Sequence, residues 1–144
     1  MGQGKTKYRV LVASSGEKIH DYFSSLLPPD EYELVCHTHN AGETRRVLLS
    51  QSVDIVIVNT PLSDEFGTQL ALDLSDSIMS IMLIVKSELF ERIAHQVEDC
   101  GVLTVSKPNS RQTFYGALKL LTAVSAKLAK MEKKNKSLQE KMAD

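Results

Sequence analysis

The sequence is short of several things that would otherwise define its class. Its two cysteines, Cys36 and Cys100, are too few for a disulfide framework. Each sits in an apolar segment, where a free thiol is expected to behave as a small hydrophobe. No apolar run approaches the roughly 20 residues that span a bilayer. Met1 to Lys7 lacks the apolar core of a signal peptide, so the reading is a soluble cytoplasmic protein with no membrane contact. Charge of one sign is also missing: 17 Lys and Arg against 18 Asp and Glu leave a net charge of −1, which removes the broad basic footprint of a whole-chain nucleic-acid binder.

Catalytic signatures are equally scarce. No Ser, His and acid follow a hydrolase order, and there is no nucleophile elbow. Gly2, Gly4, Lys5 and Thr6 imitate the end of a phosphate-binding loop, but they precede the first apolar run instead of following it. Residues 1–7 therefore read as a disordered tail. Ser14-Ser15-Gly16 has a single glycine, too little for a flavin- or nucleotide-cradling turn. His37 and His39 flank Thr38 and face one side of a strand end, with the Cys36 thiol on the other. Two such ligands do not make a zinc site. The expectation is a non-enzyme with no metal and no cofactor.

What is present is a regular alternation. With 144 residues, 42% hydrophobic and 24% charged, the chain has material for one globular unit and an appendage. Tyr8 to Ala13 is a short apolar run ended by Ser14-Ser15-Gly16, and Glu17 to Leu27 carries Ile19, Tyr22, Phe23, Leu26 and Leu27 at helical spacing. The alternation continues with a strand over Tyr32 to Cys36, a helix over Gly42 to Ser50, and a β-branched strand over Asp54 to Val58. Next come a helix over Gly67 to Ser75, a strand over Ile81 to Val85, a helix over Glu88 to Asp99 and a strand over Val102 to Val105.

Apolar strands without polar alternation are buried on both faces, as in a parallel sheet between two helical layers. The fold class is α/β, a five-stranded, doubly wound parallel sheet of flavodoxin-like order. In such sheets ligands and reacting groups lie outside the carboxyl ends of the strands. Ser14, Ser15, Asn59, Lys86 and Lys107 are the candidates there.

The last helix differs in kind. Phe114, Leu121, Leu128, Asn135 and Met142 recur every seven residues, and Ala117, Val124, Met131 and Leu138 stand three later. These are a and d positions of a heptad. A helix from Ser110 to Ala143 runs about 51 Å and overhangs any body of this size. A globular domain over 8–121 and a coiled-coil segment over 122–144 follow, with Leu121, Val124, Leu128, Met131, Asn135, Leu138 and Met142 as the seam of a homodimer. Asn135 at an a site is satisfied best by its copy in a parallel partner, and Lys127 faces Glu132 across the seam. The plainer alternative is a single solvated amphipathic helix. From Lys127 onward six lysines stand against Glu132, Glu140 and Asp144, a local charge of +3 without aromatic residues to stack on bases.

The stretch from about Arg9 to Leu121 resembles a response-regulator receiver domain. More narrowly, Asn59-Thr60-Pro61-Leu62-Ser63-Asp64-Glu65-Phe66-Gly67, Leu83-Ile84-Val85-Lys86 and Val105-Ser106-Lys107-Pro108, followed by a heptad helix, resemble the receiver-like half of ANTAR-type transcription antitermination regulators. The resemblance implies a regulatory chain that reaches RNA only through a small three-helix module outside this sequence. It also implies that a working relative has two acidic residues at Ser14 and Ser15, an Asp at Asn59, a Ser or Thr at Lys86, and the lysine at Lys107. Only Lys107 agrees.

An amide has no ionisable oxygen, so Asn59 cannot form an acyl phosphate. Neutral Ser14, Ser15 and Asn59 supply no charge to offset the dehydration of Mg²⁺. The reading is a degenerate phosphoacceptor pocket, with Lys86 either facing it or pointing into water. Asp64 or Glu65 is the expected anionic partner of the two lysines. The alternatives are a flavodoxin-like ligand-binding protein, a phosphorylation-competent receiver and a stand-alone dimerisation adaptor, and a regulatory protein partner is compatible with any of them.

Overall fold

Every second residue of each central strand points the same way, and here both sets are apolar. A computed structural model describes residues 7–143, side chains excepted at 129 and 139–143. It places β1 (Tyr8–Ala13), β2 (Tyr32–Thr38), β3 (Ile55–Asn59), β4 (Ser80–Lys86) and β5 (Leu103–Lys107) in one parallel sheet of order β2-β1-β3-β4-β5. Leu11, Ala13, Val56, Val58, Leu83 and Val85 form one core with α2 (Ala41–Leu48), α3 (Thr68–Leu74) and α4 (Phe90–Val97). Their neighbours Val10, Val12, Ile55, Ile57, Met82 and Ile84 form the other, with α1 (Ile19–Leu26) and the start of α5 (Arg111–Ala143). Burial on both faces is what the unbroken apolar runs required.

Element ends depart from the sequence reading by at most two residues, and the departures matter at the carboxyl edge. β3, β4 and β5 extend to Asn59, Lys86 and Lys107, because each gains ladder bonds from a neighbour; Asn59 stands opposite Ile84, and Lys86 opposite Lys107. The fourth helix is split. Ser87–Leu89 and Glu98–Cys100 are 3₁₀ turns on either side of α4, and the chain leaves at Gly101 with φ +77°. Cys100, expected to behave as a small hydrophobe, is exposed on that closing turn, whereas Cys36 is half-buried in β2. Gly67 is required where it stands: its φ is +128°, and a Cβ would lie 3.0 Å from both Val58 and Thr60.

The last helix is one continuous element of 33 residues. Phe114, Leu118 and Leu121 bury it against the sheet, and the Tyr32 hydroxyl meets Thr122 Oγ1 at 2.6 Å. Leu121 therefore does not belong to an intermolecular seam; it is 4% exposed because the body covers it. Beyond it Val124, Leu128, Met131 and Leu138 are about half exposed, and Asn135 is exposed. The Met142 side chain and residues 1–6 of the expected 1–7 tail lie outside the described residues. Among the described residues no helix is long and apolar enough to cross a membrane.

Candidate functional site

Four strands deliver their last residues to one rim. Ser14 follows β1 and is buried, its N–H donating to the Thr38 carbonyl at 2.9 Å. Asn59, at the end of β3, is the centre of the arrangement: its Nδ2 donates to Ser14 Oγ at 3.1 Å, and its Oδ1 accepts from Lys107 Nζ at 2.9 Å. Lys107 Nζ also donates to the Thr60 carbonyl at 2.5 Å. Thr60 is itself held on β4 by Oγ1 donating to the Ile84 carbonyl at 2.8 Å. The amide thus connects a hydroxyl to an ammonium, a network that carries one positive charge and no negative one. Burial, and then the Lys86 charge beside it, hold the Lys107 ammonium below the usual lysine pKa.

The other expected members stand apart. Ser15 is exposed, and its hydroxyl only grazes the Pro61 carbonyl at 3.5 Å. Lys86 aligns with Lys107 in the β4–β5 ladder but is exposed, without a hydrogen bond or ion pair among the described residues. Asp64 and Glu65 do not partner either lysine. Asp64 Oδ1 and Oδ2 accept from the N–H groups of Ala41 and Gly42 at 2.8 and 2.9 Å, and Glu65 accepts from Leu70 N–H at 2.9 Å and from Arg45 Nη1 at 3.1 Å. The physical reason is proximity: unsatisfied N–H groups at the starts of α2 and α3 lie beside that loop, and they favour carboxylates.

Arg45 was not legible as a member of this neighbourhood. It bridges Glu65 to Asp73, at 2.7 Å from the latter, and those partners lie 20 and 28 residues away. The two backbone bonds hold the Asp64 carboxyl below its ordinary pKa. Its contribution is therefore present above the unfolded-state value and lost as pH falls through the lower folded-state value. Asp64→Ala is expected to lower stability to denaturant at neutral pH, with the gap to the parent closing below about pH 4; a constant gap down to acid would show that the carboxylate charge is idle.

Histidines approach the same rim from β2. His37 Nε2 lies 3.1 Å from the Ser14 carbonyl, which can only accept, so Nε2 carries the proton. Its ring lies 4.7 Å from that of His39 and 5.8 Å from that of His20. Burial lowers the His37 pKa, with the two neighbouring histidines adding to the shift. No group of three His, Cys, Asp or Glu side chains among the described residues is placed to hold a metal ion.

A strand order of β2-β1-β3-β4-β5, with its crossover at β1 and β3 and the candidate residues at the carboxyl edge, can be compared directly with solved structures. The signal receiver domain of an HD domain-containing protein from Pseudomonas fluorescens superposes with a TM-score of 0.75 at 19% identity, over 90% of this chain and 97% of that one. A response regulator receiver domain from Methanospirillum hungatei gives 0.65 at 20% identity, over 88% and 98%. The response regulatory domain of mrkE from Klebsiella pneumoniae gives 0.71 at 17%, over 83% and 98%. The fold is that of a response-regulator receiver domain. No protein-family model and no curated protein matches the chain.

Within this receiver fold the donor set does not suit Mg²⁺. Ser14 Oγ, Ser15 Oγ and Asn59 Oδ1 are neutral, and Asn59 Oδ1 is already the acceptor of an ammonium. Supplying the missing charge is a direct test. Asn59→Asp is expected to stabilise the fold by on the order of 1 kcal/mol at pH 7, because an ammonium-to-amide bond from Lys107 becomes a half-buried ion pair and the Ser14 hydroxyl can turn to donate. The new carboxyl would have a depressed folded-state pKa, so the gain should vanish as pH falls through that value. Urea titrations at pH 7 and pH 3 check it, and an equal effect at both would rule out the ion pair.

Proposed function

We propose that this chain is a non-catalytic signal-input and dimerisation module of a response regulator, one that works without aspartyl phosphate. On this reading it acts through contacts at its surface and through the pairing of its C-terminal helices, and it controls transcription antitermination through an ANTAR-type RNA-binding domain outside this sequence. The observation that carries the phosphate-independent part is the bridge from Ser14 through Asn59 to Lys107, in which a carboxamide stands where acyl-phosphate chemistry needs a carboxylate. The half-exposed Val124, Leu128, Met131 and Leu138 on an overhanging helix support the dimer. The antitermination role rests on the resemblance of the Asn59–Gly67, Leu83–Lys86 and Val105–Pro108 segments. A change of state at the α4–β5 face would alter the splay of the paired helices, and so present or withdraw the RNA-binding module.

Incubation with acetyl phosphate and Mg²⁺, followed by intact-mass measurement, tests the reading. The expected result is no added phosphoryl group under conditions that label an ordinary receiver. Stoichiometric labelling would overturn it.

A further inference from the structure

Lys107 opens onto a space that the phosphate-free reading leaves without a role. A cavity of about 270 Å³ lies between α1, the carboxyl edge of the sheet and the start of α5. Its apolar lining includes Ile19, Tyr22, Phe23 and Phe114, three of them aromatic, and its polar lining is Asn59, Lys107 and Asn109. Of these, Asn109 is committed, its Nδ2 donating to the Ser106 carbonyl at 2.7 Å. Lys107 is not. Its ammonium has three N–H donors, of which Asn59 Oδ1 and the Thr60 carbonyl take two; no carboxylate pairs with it among the described residues, and the nearest other charge is the like charge of Lys86.

We infer that this cavity binds a small aryl or alkyl carboxylic acid, its carboxylate on Lys107 and its apolar body among Ile19, Tyr22, Phe23 and Phe114. The inference rests on the reading that the pocket takes no phosphoryl group, and it names the input that would replace one. A half-buried cation flanked by a second cation lacks a counter-charge, and an incoming carboxylate supplies it together with the missing acceptor. The apolar walls select against a bare inorganic anion, which would leave them unfilled. Size agrees: an apolar cavity of ~150 Å³ holds benzene, so this one has room for a ring with a short acid chain. Phe114 lies at the first turn of α5, so occupancy would be felt by the helix that overhangs the body.

Calorimetric titration of the full chain with 3-phenylpropionate, 3-phenylpropanamide and inorganic phosphate is the test. The acid should bind at least tenfold more tightly than the amide and than phosphate. Lys107→Met, shown folded by circular dichroism, should lose the preference for acid over amide. Tyr22 is 51% exposed, so Tyr22→Ala should fold and should weaken acid and amide alike by threefold or more. No heat with millimolar acid, equal binding of acid and amide, tighter binding of phosphate, or a Tyr22→Ala variant that binds as the parent does would each overturn the inference. These outcomes are independent of acetyl phosphate labelling, so the two readings fail separately.

Discussion

Leu128→Glu combined with Met131→Glu is expected to raise the dissociation constant of the proposed dimer at least a hundredfold, leaving a monomer. Both residues are half exposed on α5, Leu128 across a cleft from Val53, Asp54 and Ile78, and they occupy successive a and d positions. In a paired helix each buries an apolar side chain, worth about 1.5–3 kcal/mol apiece when fully covered. Glutamate at both would also set four like charges into one seam. Sedimentation velocity across a concentration series reads the change. The unfolding midpoint of the body should barely move, because neither residue belongs to its two cores. A parent chain that stays monomeric at high micromolar concentration would remove the dimer from the proposal, leaving the solvated single helix.

Phe114→Ala should have the largest effect on stability, a loss of about 3–5 kcal/mol. The ring is 2% exposed and packs with Phe23 at 5.9 Å between centroids, in the core that also holds Leu118 and Leu121. Its removal leaves a void next to the cavity already there, where the walls have little means of collapsing. Against a total stability of roughly 5–15 kcal/mol, the denaturation midpoint should fall sharply with an unchanged slope. Val124→Ala, at 43% exposure on the same helix, should change stability by less than about 0.5 kcal/mol. A similar loss at both positions would mean that α5 is not docked by its first turns.

These two experiments divide α5 where the heptad pattern alone could not. Phe114, Leu121, Leu128 and Asn135 are equivalent by spacing, yet the first two are buried by the body, Leu128 is half exposed beside it, and Asn135 is exposed. A heptad states which face is apolar but not what lies against it. Cys100 shows a related limit. It was read as a small hydrophobe from its apolar segment, but the turn that closes α4 brings the residue to the surface.

The five strands were legible because a run such as Ile55-Val56-Ile57-Val58 is too short for a buried helix and offers apolar side chains to both sides. Their parallel arrangement followed, since helices between strands provide the crossovers. The candidate rim followed in turn from the carboxyl-end rule, and Ser14, Asn59 and Lys107 do meet there. Ser15 and Lys86 lie at the same edge without joining the network, because adjacency along a strand end fixes a neighbourhood but not where a side chain points.

By itself the sequence determined the chemistry open to the rim: whatever the fold, a carboxamide at Asn59 has no oxygen that can ionise, and Ser14 and Ser15 carry no charge. Only the tertiary structure decided the partners. Lys107 reaches Asn59 across 48 residues, and Asp64, which charge alone would have assigned to a lysine, turns instead to N–H groups 22 and 23 residues away. Composition records charge, but a hydrogen bond forms or fails within a few tenths of an ångström. That distance is set by the packing of whole helices and strands.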